Sequence, residues 1–357
     1  MGWTRNSLVR IRRGREETSA DARQIVARRV VPQGNTAATK RERINYPLTP
    51  EGGTLNRVLN LRCGVLLEPS EDEAMRRFAF VFSLLLVIFA ATARAEPQWL
   101  ALPPTPALPS PAKSGYAPVN GIKIWYAVFG RGAPVILLHG GLANANYWGK
   151  LVPALASHYR VVVMDSRGHG RSSRDARPYG YDLMASDVLA LMDFLKIDKA
   201  ALVGWSDGAI IGLDIAIHHP ERLSKLFAFA ANSDPSGVKD VNQSPVFTAF
   251  IARARNEYEK LSPTPTEYDA FLAQITKMWE MQPNWTADDL AGIKVPTWIV
   301  DADHDEAIKR DNTLLMADHI PHSGLLIEPQ VSHFAFLQDP EQFNADVLHF
   351  LRHVKGK

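Results

Sequence analysis

Short runs of uninterrupted apolar residues constrain the fold of this chain more than any other feature of its sequence. Val135–Leu138 and Val161–Met164 are apolar at every position, without the alternation that a strand with one exposed face shows. Such runs are typical of parallel strands buried on both faces of a sheet. Five further strand-like runs are Ile122–Phe129, Ala200–Val203, Leu226–Ala230, Thr297–Val300 and Leu325–Ile327. The sequence therefore predicts a mostly parallel sheet.

Stretches with helical spacing separate most of these strand-like runs. They are Asn144–Ser157, Tyr181–Leu195, Asp207–His218, Ile308–Ile320 and Pro340–Val354. This alternation of strands and helices predicts an α/β fold with a doubly wound sheet. Functional side chains of such a sheet are expected at the carboxyl ends of its strands.

Residues 235–293 interrupt the alternation. They contain no strand-like run, but apolar residues follow helical spacing in two segments, the first with Phe247 and Phe250 and the second with Phe271 and Trp279. We expect an inserted pair of helices that covers the carboxyl ends of the strands as a cap. Most of its aromatic side chains are expected to pack between cap and body, and a minority to line a substrate pocket.

The segment Gly204-Trp205-Ser206-Asp207-Gly208 is the strongest functional motif of the chain. It follows a predicted buried strand and begins a predicted helix, which is the setting of a nucleophile elbow. The sharp turn requires glycine on both sides of the serine, and it exposes the hydroxyl near the positive end of the helix. We therefore predict that Ser206 is a nucleophile. The alternative is a serine that only caps the helix.

A nucleophilic serine needs a general base and an acid that orients this base, here expected later in the chain. Of the eleven histidines, His333 is favoured because it follows the last predicted strand and precedes the final helix. His304 and His322 are weaker alternatives. The acid is expected in the acidic loop after the next-to-last predicted strand. Asp305 is the aspartate furthest beyond that strand and is our prediction, with Asp303 as the alternative.

A glycine-containing turn, His139-Gly140-Gly141-Leu142, follows one of the buried strand-like runs. Glycine lets the backbone approach a ligand closely, and backbone amides can stabilise the negative charge of a tetrahedral intermediate. We predict that the amides of Gly141 and Asp207 form this oxyanion hole, with Leu142 as the alternative to Gly141. A plain turn without function is the other interpretation.

Charge, cysteine content and loop spacing exclude several other classes of protein. Residues 96–357 contain 24 Lys and Arg against 29 Asp and Glu, so no basic face for nucleic acid is expected. The single cysteine, Cys63, excludes disulfides and thiolate zinc sites from these residues. The acidic loop does not match a calcium loop, because Glu306 and Asn312 occupy positions that require glycine and glutamate. No metal ion and no organic cofactor is predicted.

Residues 75–95 resemble a cleaved signal peptide. Met75-Arg76-Arg77 is basic, Phe78–Ala91 is apolar, and Ala93-Arg94-Ala95 has the small-x-small pattern of a cleavage site. The apolar run is shorter than the roughly 20 residues that span a bilayer, so no stable membrane span is expected after processing. A buried core helix and an uncleaved anchor are the alternatives.

The signal-like segment has consequences for the start of the protein. We expect Met75 to be the natural start, with residues 1–74 an over-extended reading frame or else a disordered basic extension. The mature protein is expected to begin near Glu96 and to be exported, either to the periplasm or out of the cell. Residues 96–114 are rich in proline and predict an extended linker, and residues 115–357 form the predicted domain.

Together these motifs resemble the α/β-hydrolase superfamily, in the branch of esterases, lactonases and C–C bond hydrolases that carry a helical cap. The likeness covers Gly115–Lys357 and includes Asp165–Ser172, which matches the superfamily's D-x-R-G-x-G-x-S loop, a structural signature without a role in the reaction. It implies the α/β-hydrolase fold with the cap inserted after the sixth strand. Ala302 and Ser332 depart from the superfamily, which usually has glycine at both positions.

The resemblance also implies a reaction class. Relatives that cleave haloalkanes or epoxides use aspartate at the elbow, and Ser206 argues against both. We expect acyl transfer from a small-molecule ester or lactone to water, with Ser206, His333 and Asp305 as the catalytic residues. A C–C bond hydrolase is the second hypothesis, and a non-catalytic ligand-binding protein is the third. The sequence identifies neither the substrate-binding residues nor the oligomeric state.

Overall fold

The computed structural model describes residues 96–354 and four isolated helical positions before them, Asp72, Met75, Arg76 and Phe80. The predictions for residues 1–74 and for the signal-like segment 75–95 lie outside the described residues, apart from these four. None of the helices in the described part of the chain is long and apolar enough to cross a membrane.

One sheet of eight strands forms the centre of the fold. The strands are β1 (Lys113–Val119), β2 (Ile122–Phe129), β3 (Pro134–Leu138), β4 (Arg160–Met164), β5 (Ala200–Trp205), β6 (Leu223–Phe229), β7 (Thr297–Ala302) and β8 (Gly324–Glu328). Their order across the sheet is β1-β2-β4-β3-β5-β6-β7-β8. The β1–β2 and β2–β4 pairs are antiparallel, and all other pairs are parallel. The predicted mostly parallel, doubly wound sheet is confirmed.

Helices cover the sheet on both sides, as the alternation in the sequence predicts. Within residues 96–354 the α-helices are α1 (Leu151–Ala156), α2 (Tyr181–Phe194), α3 (Asp207–His218), α4 (Pro245–Leu261), α5 (Tyr268–Met281), α6 (Ala287–Ala291), α7 (Arg310–His319), α8 (Ala335–Gln338) and α9 (Pro340–His353). The predicted helix Asp207–His218 matches α3 at both ends. The predicted helix Asn144–Ser157 is instead a 3₁₀ helix, Ala145–Lys150, followed by α1.

The strand β1 is absent from the seven strand-like runs of the sequence. It contains Gly115 and Pro118, which are both depleted in strands, and proline is tolerated there because β1 lies at the edge of the sheet. It begins at Lys113, two residues before the predicted start of the domain. With β1 included, β6 is the sixth strand, and the predicted insertion follows it.

The insertion between β6 and β7 contains the two predicted helices, α4 and α5, and the shorter α6. Each long helix buries one apolar face, with Phe250 and Tyr258 on α4 and with Phe271 and Met278 on α5. Ser244 caps α4 by accepting a hydrogen bond from an amide of its first turn. These three helices are called the cap from here on.

The proline-rich residues 96–112, called the N-terminal segment, lie along the cap. Arg253 on α4 donates hydrogen bonds to the carbonyl oxygens of Leu102 (2.9 Å) and Pro103 (2.6 Å). Thr105 donates to the Glu257 carboxylate on the same helix at 2.6 Å. The segment contains one 3₁₀ turn and packs against the domain through these contacts.

Candidate active site

The turn between β5 and α3 holds Ser206 in a conformation that few residues adopt. Its φ is +54° and its ψ is −121°, a region that is costly for any residue with a side chain. A Cβ atom on Gly204 would lie 2.3 Å from the carbonyl oxygen of Gly208, and one on Gly208 would lie 2.2 Å from that of Leu138. Both flanking glycines are therefore sterically required, as the elbow motif predicts.

His333 lies in the loop after β8 and contacts the predicted acid. Its Nδ1 atom is 2.8 Å from Oδ2 of Asp305, and both side chains are buried. The other carboxylate oxygen of Asp305 accepts hydrogen bonds from the amides of Ala307 and Ile308, each at 2.7 Å. Asp305 is thus fixed from one side by backbone amides and presents its second oxygen to the imidazole.

Electrostatics favours a charged Asp305 and a basic His333. Burial alone would raise the pKa of Asp305, but the charge and hydrogen bond of His333, together with the two amides, hold this pKa below its usual value. Burial alone would lower the pKa of His333, but the charges of Asp305 and Glu306 and the Asp305 hydrogen bond raise this pKa above its usual value. The imidazole is therefore a stronger base than a free histidine.

The alternative acid and base residues lie elsewhere. Asp303 and His304 are exposed to solvent, and His304 stacks on Trp99 of the N-terminal segment with ring centroids 3.9 Å apart. Asp301 is buried, but its carboxylate accepts hydrogen bonds from Thr313 and from the amide of Ala302. Asp305 is therefore the carboxylate of the acidic loop that contacts the His333 imidazole.

The predicted oxyanion loop passes directly above the elbow. A Cβ atom on Gly140 would lie 3.0 Å from the Cβ atom of Ser206. The His139 imidazole holds the loop, because its Nε2 accepts from the Ser166 amide at 3.0 Å and its Nδ1 lies 2.8 Å from the Gly140 carbonyl oxygen. Among residues 96–354, neither the Gly141 amide nor the Asp207 amide has a hydrogen-bond acceptor. Both amides are free to donate to a ligand.

The Asp165–Ser172 loop lies next to the oxyanion loop, to which its Ser166 amide donates through His139. The Asp165 carboxylate accepts from the amides of Ala145 and Arg171, both at 2.7 Å. Arg167, fully buried, makes a bidentate contact with Asp187, with both distances 2.8 Å. None of these side chains lines the cavity described next.

A cavity of about 460 Å³ lies between the cap and the carboxyl ends of the strands. Ser206 and His333 both line it, as do Gly141, Leu142 and Asp207. The aromatic and aliphatic side chains of its wall include Trp205, Val238, Val241, Phe247, Phe250, Ile251, Trp279 and Ile308. The structure thus gathers the predicted nucleophile, base and oxyanion residues around one space, with Asp305 behind the base.

Sequence reasoning missed one carboxylate of this cavity, the side chain of Asp207. It is buried and accepts hydrogen bonds from Tyr181 Oη at 2.9 Å and from Trp279 Nε1 at 3.0 Å. Burial raises the pKa of Asp207 to about 6, against the effect of these donors and of the His333 charge. The sequence predicted a role for its amide only, because its partners lie 26 and 72 residues away along the chain.

A second missed residue is Glu306, which follows the acid. Its carboxylate accepts a hydrogen bond from the backbone amide of His333 at 2.9 Å, so it holds the loop that carries the base. The sequence has four carboxylates within six residues, which indicates an acidic site. It does not show which of these carboxylates contacts the loop that carries His333.

Comparisons with known proteins agree with this fold. A sequence profile of proteins with the alpha/beta hydrolase fold matches residues 133–267. The chain is 28% identical over 248 residues to 3-oxoadipate enol-lactonase 2 of Acinetobacter baylyi, covering 62% of this chain and 91% of that protein. It is 27% identical over 254 residues to a pimeloyl-[acyl-carrier protein] methyl ester esterase of Aeromonas hydrophila, covering 62% and 97%.

A solved structure shares the fold. The meta-cleavage product hydrolase of Pseudomonas fluorescens superimposes with a TM-score of 0.60 at 22% identity, over 66% of this chain and 97% of that one. At this identity the match concerns the arrangement of strands and helices alone.

Proposed function

We propose that this chain, an enzyme of the α/β-hydrolase superfamily, hydrolyses a carboxylic ester or lactone of small to medium size through an acyl intermediate on Ser206. The observation that carries this proposal is the 2.8 Å contact between His333 Nδ1 and Asp305 Oδ2, with His333 and Ser206 on the wall of one cavity. A base oriented by a buried acid beside a serine at an elbow suits acyl transfer.

The first half of the reaction acylates the serine. His333 takes the hydroxyl proton of Ser206 at Nε2 while Oγ attacks the carbonyl carbon, and the carbonyl oxygen becomes negative. The amides of Asp207 and Gly141 donate to this oxygen. His333 then gives its proton to the leaving oxygen, the carbon–oxygen bond breaks, and the acyl group stays on Ser206.

Water completes the reaction. His333 takes a proton from a water molecule, which attacks the acyl carbonyl. As the second intermediate collapses, the bond between Ser206 Oγ and the acyl carbon breaks, His333 returns the proton to Oγ, and the carboxylic acid is released. Asp305 stays ionised throughout, holds the imidazole tautomer with Nδ1 protonated, and stabilises the positive charge that forms on His333 in each half.

The charges of the cavity favour uncharged substrates. Its wall contains the carboxylates of Asp207, Asp240 and Glu280 but a single cationic residue, Lys239. The Lys239 ammonium already donates to the carbonyl oxygen of Asp305. A substrate with its own carboxylate would meet more negative than positive charge on this wall, whereas the apolar wall accommodates an alkyl or aryl group.

The names of two of the relatives support hydrolysis of this kind. One relative is named a lactonase and another a methyl ester esterase, and both reactions are acyl transfers. The C–C bond hydrolysis expected as the alternative uses the same kind of fold, and a comparison of substrates decides between them.

Covalent labelling tests the nucleophile. We expect a fluorophosphonate to label the native protein at Ser206, and Ser206→Ala to abolish labelling and ester hydrolysis. Ser157→Ala, at the exposed end of α1, is the matched control and should label normally. Equal labelling of Ser206→Ala and native protein would contradict the proposal.

A substrate panel tests the reaction. Uncharged p-nitrophenyl esters of increasing chain length, uncharged lactones and a vinylogous diketone should be compared with esters that carry a carboxylate. We expect the highest kcat/KM with uncharged esters or lactones. A preference for the diketone would instead establish the C–C bond hydrolase.

Export of the enzyme is also a proposal, supported by the signal-like residues 75–95 of the sequence. N-terminal sequencing of the protein isolated from its natural host tests it, with a start near Glu96 expected. Mature protein that retains residues from before Met75 would contradict both the predicted start and the predicted cleavage.

A further inference from the structure

We propose that the Asp207 carboxylate is a latch that fastens the cap to the nucleophile elbow and thereby positions one amide of the oxyanion hole. This inference rests on the proposed function, since it assigns a role to the side chain of a residue whose amide is a proposed oxyanion donor. Asp207 would act through its backbone and its cap partner, as a positioning residue.

The latch joins three separate parts of the chain. Trp279 lies on the cap helix α5, and its indole Nε1 donates to both carboxylate oxygens of Asp207 at 3.0 Å. Tyr181, the first residue of α2 in the body, donates its hydroxyl to the same carboxylate at 2.9 Å. The end of α5 is fastened again close by, because Gln282 Oε1 accepts from the Tyr181 amide at 3.0 Å.

The oxyanion loop meets the latch at Gly141. A Cβ atom on this glycine would lie 2.4 Å from Cζ2 of Trp279 and 2.7 Å from Oδ2 of Asp207. The loop, the elbow and the cap therefore touch at one point beside both proposed oxyanion donors. When the cap is seated, the Trp279 ring and the Asp207 carboxylate together limit the movement of this loop.

Other polar contacts between cap and body lie further from the reacting centre. Arg174 donates to Glu267 and Gln274 at the start and middle of α5, and Asn144 donates to Glu257 on α4 at 2.8 Å. The Trp279 contact differs, because its acceptor belongs to the residue directly after the nucleophile. Opening of the cap at this point would remove the indole donor from a buried carboxylate, which is unfavourable.

A carboxylate suits this task better than an amide would. Both of its oxygens accept, so one indole N–H can contact both while the tyrosine hydroxyl contacts one of them. An ionised acceptor also forms stronger hydrogen bonds than a neutral one. Asparagine would present an NH₂ group toward one of the donors.

The test combines cap dynamics with kinetics. Trp279→Phe keeps the ring but removes the donor, and Trp285→Phe is the matched control, since its indole N–H makes no hydrogen bond among residues 96–354 and its side chain does not line the cavity. We expect Trp279→Phe to speed hydrogen–deuterium exchange in α5 roughly tenfold and to lower kcat roughly tenfold at little cost in KM. Trp285→Phe should change neither quantity.

A double-mutant cycle isolates the pair. Asp207→Ala removes the acceptor but keeps the amide, and combined with Trp279→Phe it should be no worse in kcat than the worse single variant. Additive losses, unchanged exchange of α5 in Trp279→Phe, or equal loosening in Trp285→Phe would each overturn the latch. Exchange does not depend on turnover, so a native protein without esterase activity would refute the proposed function while the exchange measurement still decides on the latch.

Discussion

Two buried aspartates lie at this site in different turns, and their surroundings shift their pKa values in opposite directions. Asp305, in the loop after β7, has the His333 imidazole and two backbone amides as partners, and its pKa is lowered. Asp207, in the turn after β5, has the neutral donors Tyr181 and Trp279, and its pKa is raised to about 6.

The difference shows what a buried carboxylate needs in order to keep its pKa below the usual value. Desolvation is the largest influence on both residues, and it raises the pKa of each. His333, which can carry a positive charge, reverses this effect at Asp305. The neutral donors Tyr181 and Trp279 do not reverse it at Asp207. The site therefore combines Asp305, which is suited to stabilise an imidazolium, with Asp207 on the cavity wall, whose hydrogen-bond donors are neutral.

Replacing each aspartate by asparagine should separate their roles most strongly. We expect Asp305→Asn to lower kcat by about 10⁴-fold, because the amide favours the wrong imidazole tautomer and cannot stabilise the imidazolium. Asp207→Asn should cost roughly tenfold or less, since asparagine still accepts one neutral hydrogen bond. Steady-state kinetics with a p-nitrophenyl ester measures both, and losses of equal size would remove the distinction.

The two residues should also give opposite dependences of stability on pH. The raised pKa of Asp207 means that the folded state binds the extra proton, so its contribution is fully present below the unfolded value near 3.8 and is lost as pH rises through about 6. This amounts to about 3 kcal/mol at most. The lowered pKa of Asp305 gives stability that is present above pH 3.8 and is lost as pH falls further.

Chemical denaturation between pH 3.5 and 7.5 measures this pair of effects. The free energy of unfolding of Asp207→Asn, relative to the native protein, should rise as pH increases from 4 to 6 and then level off. A difference that is constant over this range would show that Asp207 titrates in the folded protein as it does when unfolded.

The acid limb of activity tests the strength of the base. His333 must be neutral to accept the serine proton, and its raised pKa places the midpoint of the kcat/KM profile above pH 6.5. Glu306→Gln keeps an acceptor for the His333 amide but removes a charge that raises this pKa, so the midpoint should move to lower pH by a fraction of a unit. Glu280→Gln, elsewhere on the cavity wall, is the control, and an equal displacement there would argue against the assignment.

Backbone strain is the smallest expected contrast between the two turns. Ser206 has a positive φ, whereas no residue from 301 to 309 does. Ser206→Gly should therefore be more stable than Ser206→Ala by about 1 kcal/mol, although both are inactive. Thermal unfolding of the two variants measures this, and equal midpoints would indicate that the turn stores little strain.

Local sequence patterns predicted the parts of the fold and site that depend on neighbouring residues. The glycines around Ser206 identify the elbow and the first residue of α3, because the motif lies within five consecutive residues, although the close approach at Gly208 comes from Leu138 on β3. The apolar runs identify the central strands, since burial on both faces leaves no polar position. The strand β1 was not predicted, because an edge strand tolerates Gly115 and Pro118 and needs no continuous apolar run.

Contacts between distant segments could not be predicted in this way. The choice of Asp305 over Asp303 followed from its distance beyond the strand, and the structure places its carboxylate 2.8 Å from the imidazole. The meeting of Tyr181, Asp207 and Trp279 depends on how the cap rests on the body. No periodicity in any of the three segments encodes that packing.

The N-terminal segment limits how a substrate can reach Ser206. Besides its covalent connections to β6 and β7, the cap is held along α4 by the segment's contacts with Arg253 and Glu257. The residues of the cavity wall that remain open to solvent are Val238, Lys239, Asp240 and Glu280, away from that attachment. We expect substrate to enter and product to leave through the opening between residues 238–241 and the end of α5, while α4 stays in place under the N-terminal segment.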